Sequence, residues 1–336
     1  YEEKQYAVGK IPGGFNKREG KASEHAILTS RVIDRPMRPL FPKDYRNDVT
    51  ISNMVMSVDP ECNPEIPAML GSSIATCISD IPFDGPCAAT QVGLIDGEFI
   101  INPSLGQKEV SDLQLTVAST RKKVIMIEAG ANEVPEEKMI EAIFKAHEVN
   151  QEIIQFIDKI VAECGKEKHT YESCAVPEEL FAAIKEVVPP QEMEAAVFTD
   201  EKQVREENIR QITEKLEEAF AEKEEWLDVL GEAVYQYQKK TVRKMILQDK
   251  KRPDGRGIKE IRPLAAEIDL IPRVHGSAMF TRGRTQICTV TTLAPLSDAQ
   301  RLDGLDEYET SKRYMHHYNF PSYSVGETTP SRGPGR

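Results

Sequence analysis

A long helical segment in the middle of the chain limits the folds that the chain can adopt. Between residues 177 and 250 no alternation typical of strands occurs, and apolar residues recur at helical spacing with acids and lysines between them. These apolar positions are Ile209, Ile212, Leu216, Ala219, Phe220, Trp226, Leu227 and Leu230. The segment is predicted to be an all-helical domain, with the apolar stripe as its core and the charge runs as a solvated face.

The residues before this segment alternate between strand and helix patterns. Strands are predicted at 49–58, 89–101, 112–118 and 122–128, and helices at 64–79 and from Pro135 to Cys164, with Gly165 as the stop. Asp96-Gly97 is typical of a hairpin turn within the second strand region. This part is therefore expected to be an α+β domain.

The residues after the helical segment return to strand patterns. A turn-rich basic linker at 252–257 leads to strands at 278–281 and 286–291, which flank Arg282-Gly283-Arg284 and predict a second hairpin. The fold class is therefore α+β, divided by an all-helical domain. We expect domain limits of 1–165, 166–250 and 251–336.

A short pattern occurs twice and indicates a duplicated domain. Tyr6-Ala-Val-Gly is followed by glycines and a basic residue, and so is Tyr323-Ser-Val-Gly, 317 residues later. The first copy has five residues before its tyrosine, whereas the second has a long strand-bearing stretch. Together with the absence of an initiating Met, this predicts that both domains are incomplete and that the sequence is an internal segment of a longer chain.

Composition excludes several other classes of protein. An apolar content of 40 % is normal for a globular protein, and no run approaches the roughly 18 apolar residues of a membrane helix. The charged amino terminus does not resemble a signal peptide, so a cytoplasmic protein without a membrane partner is expected. Six scattered cysteines without a C-x-x-C pair indicate reduced thiols rather than a zinc site or disulfides.

The charge is distributed unevenly along the chain. The net charge of −12 argues against a nucleic-acid partner, because phosphate binding favours a basic surface. Residues 10–46, however, contain nine Lys or Arg against four acids. The basic residues are Lys10, Lys17, Arg18, Lys21, Arg31, Arg35, Arg38, Lys43 and Arg46. A polyanion is therefore expected to bind near the amino end.

Several long strings resemble one known family in the family's own order. They are Ile11-Pro-Gly-Gly-Phe15, Lys17-Arg-Glu-Gly-Lys21, Ile33-Asp-Arg-Pro-Met-Arg-Pro-Leu-Phe41, Arg252-Pro-Asp-Gly-Arg256, His275-Gly-Ser-Ala-Met-Phe-Thr-Arg-Gly283 and His317-Tyr-Asn-Phe-Pro-Ser-Tyr-Ser-Val-Gly-Glu327. The chain resembles the bacterial polynucleotide phosphorylase family (polyribonucleotide nucleotidyltransferases). The similarity spans essentially the whole sequence, which makes it far more specific than one short motif.

This resemblance implies a fold and an activity. It implies two RNase PH-like domains, both incomplete here, separated by the helical domain, within a ring-shaped homotrimer that threads single-stranded RNA. The implied reaction is phosphorolytic 3′-to-5′ removal of nucleoside diphosphates from RNA, reversible as polymerisation, in mRNA degradation. Partners in an RNA-degradation complex are also implied.

The basic loop at residues 15–21 is the first candidate for RNA contact. It resembles the family's channel loop, which implies RNA-binding roles for Phe15, Lys17, Arg18 and Lys21. The family usually has two aromatics followed by two arginines, whereas Asn16 and Lys17 stand here in place of one of each. Base stacking then depends on Phe15, and Lys17 offers a point charge rather than a bidentate contact. The alternative is a solvated basic loop with Phe15 facing the core.

Three arginines after this loop extend the candidate site. Arg31, Arg35 and Arg38 lie at i, i+4 and i+7, the spacing of one helical face, although Pro36 and Pro39 are expected to break the helix. They are predicted to bind RNA phosphates. The alternative is that Arg35 and Asp34 form structural ion pairs. His25 is a weaker candidate for phosphate contact.

The catalytic residues are expected elsewhere. The resemblance implies that the catalytic groups belong to the second domain. They are arginines, a serine-rich phosphate loop and paired aspartates that hold Mg²⁺, and inorganic phosphate is the implied co-substrate. Arg336 alone matches that catalytic set. Asp112 lacks a second carboxylate nearby, so no metal-binding residue is predicted in this sequence. We expect the segment itself to be inactive; the alternative function is a non-catalytic RNA-binding or ring-assembly module.

Overall fold

The structure is a computed structural model that describes residues 1–13, 15–59, 61–302, 304–305 and 311–330. The chain divides into two compact units. The first, the sheet unit, comprises Tyr1–Tyr171 together with Ala294–Arg336, and the second, the helical unit, comprises Glu172–Leu293.

The sheet unit is built on a four-stranded antiparallel sheet with the order β4-β3-β5-β6. Its elements up to Tyr171 are β1 (Glu2–Glu3), α1 (Glu24–Met37), β2 (Met54–Val55), α2 (Glu65–Ile78), β3 (Ala88–Ile95), β4 (Glu98–Ile101), α3 (Leu105–Glu109), β5 (Leu113–Ser119), β6 (Val124–Ala131) and α4 (Glu136–Cys164). Because successive strand residues point to opposite faces, the sheet buries two sets of side chains. Leu115 and Val117 pack against Ala146 of α4, whereas Ala118 packs with Ile33 of α1 and Met69 of α2.

Local turn and cap residues act here as the sequence predicts. Helix α4 begins after Pro135 and ends at Gly165, whose N–H donates to the carbonyl of Val161. Asp96 and Gly97 both have positive φ, +50° and +83°, as a tight hairpin between β3 and β4 requires.

Two local predictions are wrong. The strand expected at 49–58 shortens to Met54–Val55, since its parallel partner β1 contributes only two residues and a strand extends no further than its ladder. Pro36 does not break α1. It lies in the last turn, where its missing N–H removes one hydrogen bond, and the N–H of Arg38 still donates to the carbonyl of Asp34.

The helical unit contains four helices followed by a three-stranded antiparallel sheet. The elements are α5 (Glu178–Val187), α6 (Pro190–Val197), α7 (Lys202–Ala219), α8 (Glu224–Leu247), β7 (Leu264–Ile268), β8 (Gly276–Arg282) and β9 (Thr285–Thr291). One apolar core joins all four helices, with Ile184, Met193, Leu216 and Leu230 among its fully or almost fully buried side chains. The all-helical prediction for 177–250 is confirmed, and so is the hairpin at Gly283.

The repeated sequence pattern forms the same turn in both places. Residues 5–8 and 322–325 each make one turn of 3₁₀-helix, closed by Gly9 at φ +68° and by Gly326 at φ +77°. In each copy the glycine N–H donates to the tyrosine carbonyl, Gly9 to Tyr6 at 3.0 Å and Gly326 to Tyr323 at 3.2 Å. Glycine fits both positions because the left-handed conformation strains other residues. The short hairpin of β10 (Gln300–Arg301) and β11 (Ser311–Lys312) precedes the second turn.

Candidate nucleic-acid interface

The basic loop, residues 15–21, presents its side chains to solvent. The ring of Phe15 is fully exposed, which excludes the alternative of a core-facing phenylalanine. Lys17 has a positive φ of +51°, and its Nζ donates to the carbonyl of Gly13 at 3.2 Å. Arg18 and Lys21 are exposed and have no carboxylate within salt-bridge distance among the described residues. The loop therefore offers one aromatic face and three cations to a ligand.

Glu19 fastens this loop to the first of the two repeated turns. Its Oε1 accepts a hydrogen bond from the backbone N–H of Gln5 at 2.7 Å, and its Oε2 lies 3.3 Å from the Nζ of Lys4. Charge-assisted hydrogen bonds of this kind are about twice as strong as neutral ones. The acidic residue within the cationic loop is thus a structural anchor, a role that sequence reasoning missed.

A cavity of about 1110 Å³ within the sheet unit brings together residues from both ends of the chain. Arg18 and Lys21 line it from the basic loop, and Arg301 of β10 and Lys312 of β11 line it from the other end. Lys312 also pairs with Glu24, Nζ to Oε2 at 2.8 Å. Among the described residues predicted to bind RNA, these two loop cations line the cavity, whereas Phe15, Lys17, Arg31, Arg35 and Arg38 do not.

Of the three arginines, Arg31 and Arg35 lie on one face of α1, because the helix continues through Pro36, and Arg38 follows directly as its C-cap with helical backbone angles. Two of them are ion-paired. Arg35 Nη1 lies 2.8 Å from Glu128 Oε2 of β6, and Arg38 binds both carboxylate oxygens of Asp34. The structural ion pairs considered as an alternative therefore exist, although Asp34 pairs with Arg38 rather than with Arg35. Arg31 is exposed and has no such partner among the described residues.

His25 lies between two carboxylates, those of Glu3 and Glu65. Its Nδ1 is 2.8 Å from Glu3 Oε1 and its Nε2 is 3.0 Å from Glu65 Oε1, so both ring nitrogens must donate and the ring carries a charge. The hydrogen bond to Glu3, with that to Glu65, raises the pKa of His25 to about 10 against the opposing effect of burial. Burial also acts to raise the pKa of Glu65, yet the hydrogen bond and charge of His25 bring that pKa below its ordinary value.

This arrangement predicts a pH-dependent stability. Since the folded pKa of His25 lies above its ordinary value of 6.5, its contribution is complete below about pH 6.5 and is lost as the pH rises towards 10. We expect His25→Gln to lower the free energy of unfolding at pH 7 by about 1–2 kcal/mol, less than for a fully buried pair because the ring is half exposed.

Thermal melts between pH 7 and pH 10 measure this effect. The wild-type protein should lose melting temperature across that range more steeply than His25→Gln, whereas the control His147→Gln should follow the wild-type profile. Parallel profiles for the wild-type protein and His25→Gln would contradict the assignment.

Arg336, the expected catalytic residue, lies outside the described residues. Within the described part of the chain, no three or more His, Cys, Asp or Glu side chains form a group that could hold a metal ion. In the same part, none of the helices combines the length and apolar character needed to cross a bilayer.

Models of known families match nearly the whole chain. The model described as "3′ exoribonuclease family, domain 1" matches residues 1–82 and again 260–336, and "3′ exoribonuclease family, domain 2" matches 85–149. The model "Polyribonucleotide nucleotidyltransferase, RNA binding domain" matches 179–257. These matches define a class of protein with 3′ exoribonuclease domains on either side of a helical domain, which confirms the predicted fold class of two RNase PH-like domains.

Individual relatives narrow the class further. The polyribonucleotide nucleotidyltransferase of Lachnoclostridium phytofermentans is 79 % identical over 337 residues, that of Ruminiclostridium cellulolyticum 55 % over 337, and that of Clostridioides difficile 53 % over 340. The chain belongs to the polyribonucleotide nucleotidyltransferase family. All of it is covered in these comparisons, and it spans 48 % of the length of each relative.

Proposed function

We propose that this chain works in a phosphorolytic 3′-to-5′ exoribonuclease. That enzyme releases nucleoside diphosphates from single-stranded RNA, runs in reverse as an RNA polymerase, and acts in mRNA degradation. The observation that carries the proposal is the duplication: one exoribonuclease model matches both ends of the chain, and each end contains the same glycine-capped turn. A polyribonucleotide nucleotidyltransferase model matches between them.

Within this activity, the amino-terminal cations would bind the RNA backbone. The proposed contacts are Phe15, Lys17, Arg18, Lys21, Arg31, Arg35 and Arg38. Arg18, Lys21 and Arg31 are exposed without carboxylate partners among the described residues, so phosphate binding costs them no ion pair. Arg35 and Arg38 would first have to leave Glu128 and Asp34, or bind phosphate alongside them. Phe15 offers a free ring face on which a base can stack.

The remaining features are also proposals. Inorganic phosphate would be the co-substrate, and Mg²⁺, held by residues outside this sequence, would offset charge on the transferring phosphoryl group. Arg336 would contribute to catalysis. We further propose a cytoplasmic homotrimer, partners in an RNA-degradation complex, and domain limits of 1–165, 166–250 and 251–336.

Product analysis tests the proposal. A protein with the full length of the relatives is incubated with 3′-labelled RNA and Mg²⁺, with and without phosphate, and the isolated 336-residue chain is the comparison. We expect nucleoside diphosphates from the longer protein in the presence of phosphate, and RNA binding without release from the isolated chain. Nucleoside monophosphates as the product would favour another class of nuclease. RNA binding without release of nucleotides, by the longer protein as well as by the isolated chain, would favour the non-catalytic module.

A further inference from the structure

The second half of helix α8 has a charge opposite to that of the chain. Residues 224–238 contain four acids and no Lys or Arg, whereas residues 239–252 contain seven Lys or Arg and one acid. Lys239, Lys240, Arg243 and Lys244 are all exposed. In a chain of net charge −12, such a segregation is a distinct surface feature.

The helical period places these cations side by side. Lys239 and Arg243 continue one row from Tyr235, and Lys240 and Lys244 form the adjacent row, since residues four apart are neighbours on a helix. The opposite side of the same stretch is the core side, with Tyr237, Thr241 and Met245 buried. Consecutive cations in a row are about 6 Å apart along the axis, so one row can track successive phosphates of an extended strand.

Helix α5 adds a fifth cation, Lys185, beside the four of these rows. Lys185 Nζ lies 4.8 Å from the ring centre of Phe181, and Lys240 Nζ lies 3.9 Å from the same ring. These three side chains line a cavity of about 300 Å³, together with Glu178 and Gln236 among others. The ring stabilises each ammonium by about 0.5–1 kcal/mol at an exposed site, but it brings two like charges together. A bound phosphate would offset their repulsion.

The cations of this face lack the ion pairs that three cations of α7 make. On α7, Lys202 pairs with Glu206, Arg210 with Glu207 and Glu214, and Lys215 with Glu192 of α6. No carboxylate of the described residues lies within 4.0 Å of the cationic groups of Lys185, Lys239, Lys240, Arg243 or Lys244. The negative end of the helix dipole accounts for Lys244, which lies in the last turn, but its effect does not reach the residues one turn earlier.

We propose that this face, formed by Phe181, Lys185, Lys239, Lys240, Arg243 and Lys244, is a second binding surface for single-stranded RNA. The α8 basic face binds phosphates through the two rows, and the exposed ring of Tyr235 at the end of one row stacks on a base. The inference rests on the proposed function for the nature of the ligand, and within residues 179–257, which match a model described as an RNA binding domain, it names the face that binds. It adds a surface in the helical unit to the candidate residues of the sheet unit.

Salt-dependent RNA binding by the 336-residue chain tests this surface. The double variant Lys239→Gln/Arg243→Gln is compared with Lys202→Gln/Arg210→Gln, which removes the same charges from ion-paired positions on α7. Fluorescence anisotropy with a labelled oligoadenylate is measured over a range of KCl concentrations. We expect the α8 variant to bind about fivefold to tenfold more weakly, with a salt slope smaller by about 1.4, the value for two lost phosphate contacts on a single strand.

The controls distinguish an effect of this surface on RNA binding from the effects of a lower overall charge and of misfolding. The α7 variant should bind within about twofold of wild type, and the charge-preserving swap Lys239→Arg/Arg243→Lys should retain binding. Equal weakening of the α7 and α8 variants, or loss of binding in the swap while Trp226 fluorescence shows a folded helical unit, would overturn the inference.

A variant of the sheet unit distinguishes the two proposals. If Arg18→Gln/Arg31→Gln weakens binding and the α8 variant does not, the α8 basic face is refuted and the proposed function stands. If the wild-type chain binds no RNA, the proposed function and the inference both fail.

Discussion

Replacing Asn150 with alanine is expected to lower the stability of the sheet unit by about 3 kcal/mol, a large effect for an uncharged residue. Asn150 is fully buried on α4. Its Oδ1 accepts from Thr90 Oγ1 at 2.7 Å, and its Nδ2 donates to the carbonyl of Val117 at 3.1 Å and to Ser119 Oγ at 2.9 Å. Alanine would leave buried polar groups of β3 and β5 without these partners, at a cost of about 1–3 kcal/mol for each unsatisfied group.

Urea unfolding observed with two probes measures this prediction. The chain has a single tryptophan, Trp226, which packs against the core of the helical unit. Hydrogen exchange of peptides from β3 and β5 reports the sheet unit. We expect the protection of those peptides to fall in Asn150→Ala, while the Trp226 transition stays within about 0.5 kcal/mol of wild type. The neighbouring substitution Gln151→Ala should cost less than about 1 kcal/mol, and an equal cost at both positions would show that the buried bonds are not the cause.

Glu19→Gln should weaken RNA binding about fivefold to tenfold, although it makes the basic loop more positive. Electrostatics alone predicts tighter binding, because a negative charge next to the phosphates is removed. If Glu19 anchors the loop, weaker binding is expected instead, because a neutral amide loses the ion pair with Lys4 and weakens the hydrogen bond from the N–H of Gln5. A less ordered loop pays more conformational entropy on binding, and a loss of about 1–1.4 kcal/mol corresponds to the expected range.

The matched control for Glu19 is Glu24→Gln. Glu24 lines the same cavity and carries the same charge, but it pairs with Lys312 rather than with the first turn. RNA titrations at one salt concentration should show weaker binding for Glu19→Gln, and unchanged or tighter binding for Glu24→Gln. Tighter binding in both variants would mean that charge decides the affinity and that the anchor does not.

Local chemistry explains why much of the fold could be predicted. Pro135, Gly165 and the Asp96-Gly97 turn act through their own backbone preferences, so their effects are visible in the sequence. The apolar stripe at Ile212 and Leu216 predicts a helix for the same reason. The duplicated turn was visible because glycine is needed at Gly9 and Gly326 whatever surrounds them.

The candidate site could be predicted less fully, because its contacts join distant parts of the chain. The spacing of Arg31, Arg35 and Arg38 predicts a shared face, but not that Arg35 pairs with Glu128, 93 positions away. In the sequence Glu19 is one acid among cations, and nothing local indicates that its carboxylate accepts a hydrogen bond from the N–H of Gln5. The basic linker at 252–257 and the strand at 278–281 can be predicted from their local sequence, whereas the pairing of β10 with β11 cannot.

The central claim is that unpaired cations at the amino end bind the RNA backbone, and the salt dependence of RNA affinity tests it most directly. The 336-residue chain is titrated with a labelled oligoadenylate over a range of KCl concentrations as wild type, Arg18→Gln/Arg31→Gln and Arg35→Gln/Arg38→Gln. We predict that the first variant reduces the salt slope by about 1.4 and that the ion-paired arginines of the second contribute less. An unchanged slope and affinity in Arg18→Gln/Arg31→Gln would contradict the claim.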